Sequence, residues 1–261
     1  MECGLQCLHS SPTLKTSGFP ATRQMKVVIT SGGTCEALDS VRVLTNISTG
    51  KLGAKIAEHF LGHEVFYVAP ERAVHPILPD PKSEYSIHKS ILANYRAIPA
   101  TNVASVMEAM KNLVPEAHIV IQAMAISDFT FDLSVPVKIS SKGVDGIIEH
   151  FAKTIRPNPK VISFYRGWNP NAVLVGFKFT VGETKENLKS IAMKMMADNR
   201  LDFVFANDKE MMKAAQAHVG FLLDKDGNEF PVENKDMAAN VIYAQTFSLA
   251  YKRIWGGAFA V

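Results

Sequence analysis

Lys26-Val27-Val28-Ile29-Thr30 runs directly into Ser31-Gly32-Gly33-Thr34, and this junction decides the fold. Its apolar half predicts a short buried strand, and its glycines predict a tight turn whose backbone N–H groups can approach an anion. Ser48-Thr49-Gly50 follows, just before an apolar pattern of helical spacing. We expect these hydroxyls to cap that helix and leave its positive end facing outward, which favours a phosphorylated ligand.

The spacing of the glycines limits what this loop can be. It fits neither Gly-x-Gly-x-x-Gly nor the P-loop pattern, so two familiar nucleotide fingerprints are absent. A plain turn in an ordinary α/β domain explains the loop equally well, because turns are often rich in glycine. The function must therefore be decided from other parts of the chain.

Composition excludes several classes of protein. The 261 residues are 47% hydrophobic and 20% charged, which is usual for a soluble globular protein. A net charge of +3 without a dense Lys/Arg block argues against nucleic acid as a partner, and no apolar run reaches the roughly 20 residues of a membrane span. Cys3, Cys7 and Cys35 are few and scattered, so we predict neither a metal site nor disulfides, and a location in the reducing cytoplasm.

The beginning of the chain differs in composition from the rest. Residues 1–24 are rich in Ser, Thr, Cys, Gly and Pro and show no hydrophobic periodicity, whereas Met25 directly precedes the first predicted strand. We therefore predict a disordered N-terminal extension over residues 1–24 and a single domain over residues 25–261.

Strands and helices alternate along the chain, which predicts an α/β fold: a doubly wound (Rossmann-like), mostly parallel sheet with helices on both faces. Asp226-Gly227 between two apolar runs predicts a C-terminal β-hairpin. We interpret residues 70–93 as an irregular excursion and residues 130–146 as a long loop. Strands are predicted at residues 26–30, 64–68, 95–98, 117–125, 172–178 and 202–205, and helices at 51–61, 185–197 and 235–253, with a further helix that Thr101 or Asn102 caps and that ends near Leu113.

Glycines and polar residues collect at the predicted carboxyl ends of the strands. In an open parallel sheet, ligands bind outside these ends. The placement therefore predicts one functional site built from several strand ends. Its members are Gly32, Gly33, Ser127, Asp128, Gly176, Phe177, Asn207 and Asp208.

An ordered set of short motifs runs along the same chain. The set is Ile29-Thr30-Ser31-Gly32-Gly33-Thr34, Asp39-Ser40-Val41-Arg42, Thr45-Asn46-Ile47-Ser48-Thr49-Gly50-Lys51-Leu52-Gly53, Ala125-Ile126-Ser127-Asp128-Phe129, Lys138-Ile139-Ser140-Ser141, Val175-Gly176-Phe177 and Ala206-Asn207-Asp208. Together these motifs resemble those of phosphopantothenate–cysteine ligase, also called phosphopantothenoylcysteine synthetase, in its stand-alone bacterial form. The resemblance covers roughly residues 25 to 253.

This resemblance implies a ligase of coenzyme A biosynthesis. The carboxylate of 4′-phosphopantothenate would attack the α-phosphate of a nucleoside triphosphate, and the amine of cysteine would then displace the nucleotide. The resemblance also implies Mg²⁺ as cofactor, CTP as the favoured nucleotide with ATP as the alternative, and a homodimer. We place a candidate dimer contact on the predicted hairpin at residues 221–232.

Roles for individual residues follow from the matched motifs. Asn46 and Lys138 are the catalytic candidates, and Arg42, Asn46 and Ala125 are the candidates for binding the acid substrate. Metal ligands are not assigned. The nucleotide-binding candidates are Gly32, Gly33, Thr34, Ser48, Gly50, Gln122, Ala123, Met124, Asp128, Lys142, Pro159, Lys160, Val161, Ile162, Phe177 and Lys194, of which 122–124 and 159–162 are expected to contact the base through the backbone.

Each candidate also has a simpler structural interpretation as a surface, turn or core residue. In these interpretations, Lys138 and Lys194 are exposed lysines, Arg42 forms a surface ion pair, Asn46 and Asp128 shape turns, and Phe177 belongs to the core.

Two rival functions are compatible with the same fold. A flavin- or nicotinamide-binding oxidoreductase would need an acidic residue placed as in the dinucleotide fingerprint, and the chain has none. A non-catalytic relative would bind nucleotide without turnover. Asp198 stands where the family has a second helix lysine, and Gly176-Phe177-Lys178 departs from the family's version, so CTP and ATP both stay open.

Overall fold

The computed structural model describes residues 24–132 and 144–256. The predicted N-terminal extension, apart from Gln24, and the loop segment with Lys138 and Lys142 lie outside these residues. The described strands are β1 (Lys26–Thr30), β2 (Cys35–Ala37), β3 (Val43–Thr45), β4 (Glu64–Ala69), β5 (Tyr95–Pro99), β6 (Ile119–Gln122), β7 (Phe129–Phe131), β8 (Ile155–Pro157), β9 (Val173–Thr180), β10 (Phe203–Asp208), β11 (Gly220–Asp224) and β12 (Glu229–Val232). The described helices are α1 (Lys51–His59), α2 (Ser86–Asn94), α3 (Val103–Leu113), α4 (Val144–Thr154), α5 (Ile162–Trp168), α6 (Lys185–Asn199), α7 (Lys209–Ala215) and α8 (Lys235–Trp255).

One eight-stranded sheet forms the centre, in the order β12-β11-β10-β9-β6-β1-β4-β5. Neighbours from β10 to β5 pair in parallel, and β11 and β12 are added as an antiparallel hairpin. The chain places β4 and β5 on one side of β1 and then returns to place β6 on the other side. This order confirms the predicted doubly wound sheet with a C-terminal hairpin, and its topological switch point lies between β1 and β6.

Helices cover both faces of the sheet, as predicted, because side chains alternate across each strand. On one face, α1 and α8 contribute Ile56 and Phe247 to a core with Ile29. On the other face, α3, α5 and α6 pack Met110 and Leu188, among others, against the alternate side chains of the same strands. Burying one large apolar side chain contributes roughly 1.5–3 kcal/mol. These two layers therefore hold the strand ends in place.

Helix α1 begins after Gly50, which has a left-handed φ of 78° and occupies the N-cap position. The predicted capping by the hydroxyls of Ser48 and Thr49 is wrong, because the cap residue has no side chain. Thr49 Oγ1 only comes within 3.5 Å of Lys51 N. The glycine serves a different purpose: a Cβ at Gly50 would lie 3.2 Å from Gly32 N, so its absence lets α1 start close to the turn after β1.

The sequence interpretation missed helices α4, α5 and α7, of which α4 begins within the predicted loop at 130–146, and it also missed several short or exposed elements. The end of the stretch interpreted as irregular, 70–93, is helix α2, which buries none of its residues and so has no apolar stripe to reveal it. The pairs β2–β3 and β7–β8 form two small separate sheets of three-residue strands. Strands of that length are too short for an alternating pattern to be recognised.

His218 is a half-buried ring that stacks on Phe205 at 6.1 Å between centroids, and both of its ring nitrogens are buried without a hydrogen-bond partner. Burial, together with the nearby charge of Lys235, lowers the pKa of His218 from 6.5 to about 4. The folded state therefore keeps this ring neutral at a pH where the unfolded chain protonates it.

This environment predicts how stability depends on pH. The contribution of neutral His218 is fully present above pH 6.5 and is lost as the pH falls toward about 4, because the unfolded state binds the extra proton. His218→Phe should keep the stacking and reduce the acid loss of unfolding free energy by up to about 3 kcal/mol. Urea unfolding near pH 7.5 and near pH 4.5 measures the effect. The exposed His75→Phe is the matched control, and an equal acid loss in His218→Phe and the parent protein would contradict the prediction.

Candidate active site

The loops that follow β1 and β6 are hydrogen-bonded to each other at the switch point. Thr34 N donates to Ala125 O at 3.0 Å, and Ala125 N donates to Gly32 O at 2.9 Å. Thr34 is also buried, and its Oγ1 accepts a hydrogen bond from Ser127 N at 2.9 Å. Two loops from distant parts of the sequence therefore form one continuous edge at the carboxyl ends of β1 and β6, which we call the rim. This is what the strand-end argument predicted.

The two glycines of the first loop permit close packing around this rim. Gly32 has a φ of 83°, and a Cβ there would lie 2.9 Å from Ala73 Cβ. A Cβ at Gly33 would lie 2.7 Å from Asn46 O. Neither position has room for a side chain. The glycine turn is therefore the surface against which Asn46 and the segment after β4 pack.

Asn46 is half-buried on the glycine turn. Its Nδ2 donates to Ala125 O at 2.8 Å, and its own carbonyl accepts a hydrogen bond from Ser48 N at 2.9 Å. The first of these bonds fixes the orientation of the carboxamide. The structure thus brings together Asn46 and Ala125, which the sequence motifs separate by 79 positions.

A cleft of about 630 Å³ opens beside this rim, above the carboxyl ends of β6 and β9. Clefts that hold small molecules have volumes of roughly 300–1,000 Å³. The predicted nucleotide contacts Gln122, Met124, Asp128, Pro159, Lys160, Val161, Ile162 and Phe177, and the predicted substrate contact Ala125, all line this cleft.

The segment between β8 and α5 forms one wall of the cleft. Asn158 N donates to Asp128 O at 2.9 Å, and Asn158 Nδ2 donates to Ser127 O at 3.2 Å. Lys160 and Asp128 form an ion pair in which both side chains are 71% exposed. An exposed pair of this kind contributes at most about 1 kcal/mol. Either charge can therefore exchange its partner for a ligand at low cost.

Two charged candidates already have partners within the chain. Arg42 Nε lies 3.2 Å from Asp39 Oδ2, and Asp39 is buried. Lys194 forms an exposed ion pair with Asp198 at 2.9 Å, one turn further along α6. Both contacts match the simpler structural interpretations, and the ligand roles of Arg42 and Lys194 stay predictions.

The remaining candidates lie beside the cleft, in the core or outside the described residues. Phe177 lines the cleft, but its ring also packs on Phe205 at 5.4 Å between centroids, in the core that includes α1 and α8. Ala123 packs against the same core. Lys138 and Lys142 lie outside the described residues. Gly32, Gly33, Thr34, Ser48 and Gly50 belong to the loops around Asn46 rather than to the cleft lining.

Arg72 is a site residue that the sequence interpretation missed. It follows the carboxyl end of β4, and its guanidinium donates to Gly33 O at 2.9 Å, to Thr34 O at 3.4 Å and to the hydroxyl of Thr45. Within the described ranges, no carboxylate forms an ion pair with it. The strand-end rule would have found Arg72, because β4 is the direct neighbour of β1 in the sheet.

Glu36 is a second missed residue, and it is only 3% exposed. One carboxylate oxygen accepts a hydrogen bond from Val103 N, at the start of α3, and the other accepts from Thr130 Oγ1, both at 2.8 Å. Glu36 therefore ties β2, α3 and β7 together around the rim. A single glutamate in a three-residue strand carries no sequence signal for this role.

Asp208 ends β10 at the same edge of the sheet and is fully buried. It accepts hydrogen bonds from Thr180 Oγ1 at 2.8 Å, from Glu183 N at 3.1 Å and from Glu210 N at 2.8 Å. Burial alone would raise the pKa of Asp208, but the hydrogen bonds outweigh it and lower that pKa to about 2. This carboxylate is therefore ionised at neutral pH, and it caps α7.

Carboxylates at the cleft are spread out rather than clustered. Across residues 24–132 and 144–256, no group of three or more His, Cys, Asp or Glu side chains is arranged to hold a metal ion. Asp128 and Asp198 line the cleft singly. No helix in the described part of the chain is long and apolar enough to cross a membrane.

Comparison with known proteins assigns the chain to a family. The family model described as the DNA/pantothenate metabolism flavoprotein C-terminal domain matches residues 22–249. The coenzyme A biosynthesis bifunctional protein CoaBC of Thermococcus kodakarensis is 32% identical over 186 residues, which are 70% of this chain and 41% of that protein. CoaBC of Methanocaldococcus jannaschii is 30% identical over 183 residues, 70% of this chain and 40% of that protein. The chain thus spans less than half the length of these curated relatives.

Solved structures agree with this assignment. The crystal structure of the DNA/pantothenate metabolism flavoprotein from Streptococcus pneumoniae is 31% identical, with a TM-score of 0.68, and the match covers 85% of this chain and 97% of that one. A Cab2 variant in complex with phosphopantothenate-cysteine is 20% identical, with a TM-score of 0.67, and shows the shared fold alone. The protein therefore belongs to the family of the DNA/pantothenate metabolism flavoprotein C-terminal domain.

Proposed function

We propose that this chain is a phosphopantothenate–cysteine ligase that activates 4′-phosphopantothenate as an acyl-nucleotide and couples it to cysteine. One observation carries the proposal: Ala125 lines the cleft and also accepts the hydrogen bond from Asn46 at 2.8 Å. A nucleotide in the cleft would thus place its α-phosphate end next to a fixed carboxamide. Relatives named for coenzyme A biosynthesis support the same conclusion.

In the proposed reaction, an oxygen of the substrate carboxylate bonds to the α-phosphorus and pyrophosphate leaves. The amine of cysteine then bonds to the activated carbonyl, the nucleoside monophosphate leaves, and the amine gives up a proton. Asn46 is well suited to hold the activated carbonyl, because its carboxamide offers both a donor and an acceptor and is already oriented. Lys138 and Lys142 keep the charge-neutralising roles that the resemblance implies.

Arg72 adds a cation to the glycine turn. Its guanidinium is anchored on Gly33 O and Thr34 O, so a bound anion would meet a charge held in place rather than a flexible side chain. Both substrates of the first step are anions, and bringing them together requires fixed positive groups. We assign Arg72 to the acid substrate, since it bonds to the glycine turn but does not line the cleft proposed for the nucleotide.

Magnesium fits this proposal as an ion that arrives with the triphosphate. Mg²⁺ is usually held by one or two carboxylates together with substrate phosphates, and Asp128 and Asp198 line the cleft as single carboxylates. When bound, the ion would neutralise phosphate charge. The residues' own part is to present those carboxylates beside Lys160, which already pairs with Asp128.

CTP as the favoured nucleotide, the homodimer and the cytoplasmic location belong to the same proposal. The three central residues of β11, Phe221, Leu222 and Leu223, are buried in the chain's own core. A dimer contact on the hairpin would therefore have to use the edge strand β12. Light scattering at working concentration tests the dimer directly, and a monomer would remove that part of the proposal.

The decisive measurement is turnover with defined substrates. Protein supplied with CTP, phosphopantothenate, cysteine and Mg²⁺ should release one pyrophosphate and one CMP for each ligated product. Without cysteine, release should stop at about one pyrophosphate per site, because the acyl-nucleotide stays bound. ATP in place of CTP compares the two nucleotides. A protein that releases no pyrophosphate with either nucleotide is not this ligase.

A further inference from the structure

Lys178 is a half-buried lysine of the cleft, and no matched motif assigns it a role. It lies on β9 between Phe177 and Phe179, which line the cleft as well. Lysine is usually exposed, and burying its charge is costly unless another group compensates for it. A counter-charge for Lys178 is therefore expected, either from the protein or from a ligand.

The register of the sheet directs Lys178 toward the helical wall of the cleft. Side chains at every second residue of a strand share a face, so Lys178 leaves β9 on the same face as Gly176. A Cβ at Gly176 would lie 2.9 Å from Met195 Cε and 3.1 Å from Ile162 Cδ1, so α5 and α6 cover this face. Strand β9 pairs with β6 only as far as Val175. Lys178 therefore stands three residues further out, where the sheet opens into the cleft.

The carboxylates of the cleft already have other lysine partners. Asp128 forms its ion pair with Lys160. Asp198 forms its ion pair with Lys194. Among the residues that the structure describes, no ion pair or hydrogen bond involves the ammonium group of Lys178. Lys178 thus differs from the other two lysines, because no described carboxylate offsets its charge.

The neighbouring strand β10 does not supply the counter-charge either. Lys178 pairs in the sheet with Ala206, which is fully buried and has no polar side chain. Asp208 ends β10 two residues further on, but its carboxylate accepts hydrogen bonds from Thr180 Oγ1 and Glu183 N, among others. The charge of Lys178 is therefore free to meet a ligand in the cleft.

We propose that Lys178 binds a phosphate group of the nucleotide in this cleft. An ammonium group is a compact point charge with three donors, which suits the acceptor oxygens of a phosphate. Lys178 would offset part of the negative charge that a triphosphate brings to a cleft with two carboxylates of its own. The acid substrate carries a phosphate too, but its candidate Arg72 does not line this cleft. The inference rests on the proposed function, because that function places a nucleoside triphosphate here.

Two variants separate the charge of Lys178 from its shape: Lys178→Gln removes the charge, and Lys178→Arg keeps it. Calorimetry should show that Lys178→Gln binds CTP about tenfold or more weakly than the parent, whereas Lys178→Arg retains most of the affinity. The CTP affinity of Lys178→Gln should also depend less on salt, because one charge that faces the ligand is gone. Cytidine, which has no phosphate, and 4′-phosphopantothenate should bind Lys178→Gln as they bind the parent. Lys111→Gln is the matched control, since it makes the same change at an exposed position of α3 outside the cleft lining, and it should bind every ligand like the parent.

Parent-like affinity of Lys178→Gln for CTP would overturn the inference, and so would a parent protein that binds neither CTP nor ATP. An equal loss for cytidine would also overturn it, because the side chain would then act on the base or on the shape of the cleft. A loss confined to 4′-phosphopantothenate would assign Lys178 to the other phosphate. Pyrophosphate release separates these failures from failure of the proposed function: turnover by the parent with unchanged CTP binding in Lys178→Gln would sink only the role of Lys178. CTP binding that depends on Lys178, without any turnover, would sink only the ligase.

Discussion

Gly53→Ala should destabilise the protein by about 2 kcal/mol, although alanine is the better helix former by about 1 kcal/mol. Gly53 lies in α1, and a Cβ there would come 2.2 Å from Ser31 Oγ and 2.7 Å from Ser31 Cβ. Ser31 cannot retreat easily. It is fully buried, its N donates to Val68 O at 2.9 Å, and its Oγ donates to Gly50 O at 3.0 Å.

The clash would push α1 away from the turn after β1, so activity should fall together with stability. Thermal unfolding should show a melting temperature lower by roughly 4–8 °C for a chain of this size. Gly62→Ala is the matched control, because a Cβ there meets nothing within 4 Å, and it should melt with the parent. Ser31→Gly combined with Gly53→Ala should recover part of the loss. A single Gly53→Ala variant as stable as the parent would show that the helix moves freely against the turn.

Sequence patterns were sufficient to predict the central sheet and the helical layers on its two faces. Continuous apolar runs predicted the buried strands, and the alternation with helices predicted the doubly wound order. Local chemistry predicted two further details correctly. Asn102 caps α3, with Ser105 N donating to its Oδ1 at 2.9 Å, and Gly227 turns the hairpin with a φ of 83°. These features depend on neighbouring residues, which is why a single sequence can reveal them.

The parts of the site that sequence did not reveal depend on contacts across the chain. Arg72 bonds to a carbonyl 39 positions away, and Glu36 bonds to the N-terminus of a helix 67 positions away. Neither contact leaves a periodic or local pattern. The capping of α1 failed for a related reason: Gly50 is needed for its approach to Gly32, a tertiary contact that overrides the local preference for a hydroxyl.

The cleft shows what the strand-end rule can predict from sequence and what it cannot. The strand-end rule collected Ser127, Asp128 and Phe177 correctly, and all three line one cavity. The rule cannot say which atoms remain unpaired there, because that depends on what every neighbouring strand and helix supplies. Gln122 is such a case: its Oε1 is buried without a hydrogen-bond partner among the described residues, and no sequence pattern predicts this.

Asn46→Asp should lower kcat/KM for the proposed ligation by about 100- to 1,000-fold, the usual effect of removing one donor at a developing charge. The substitution replaces Nδ2, which donates to Ala125 O at 2.8 Å, with a carboxylate oxygen that this carbonyl would repel. It also adds a negative charge where two anionic substrates meet. The carboxamide would lose its orientation, and the activated carbonyl would lose its partner.

Two measurements separate the chemical effect from a structural one. Pyrophosphate release and formation of the ligated product, followed in the same reaction, should become uncoupled in Asn46→Asp, because acyl-nucleotide that is poorly held is lost to water. Asn94→Asp makes the same chemical change on α2 and should keep the parent's rate and coupling. Melting temperatures of both variants should stay close to that of the parent, since Asn46 is only half-buried. Parent-like, fully coupled turnover in Asn46→Asp would remove Asn46 from the chemistry and leave it as a turn residue that packs on Gly33.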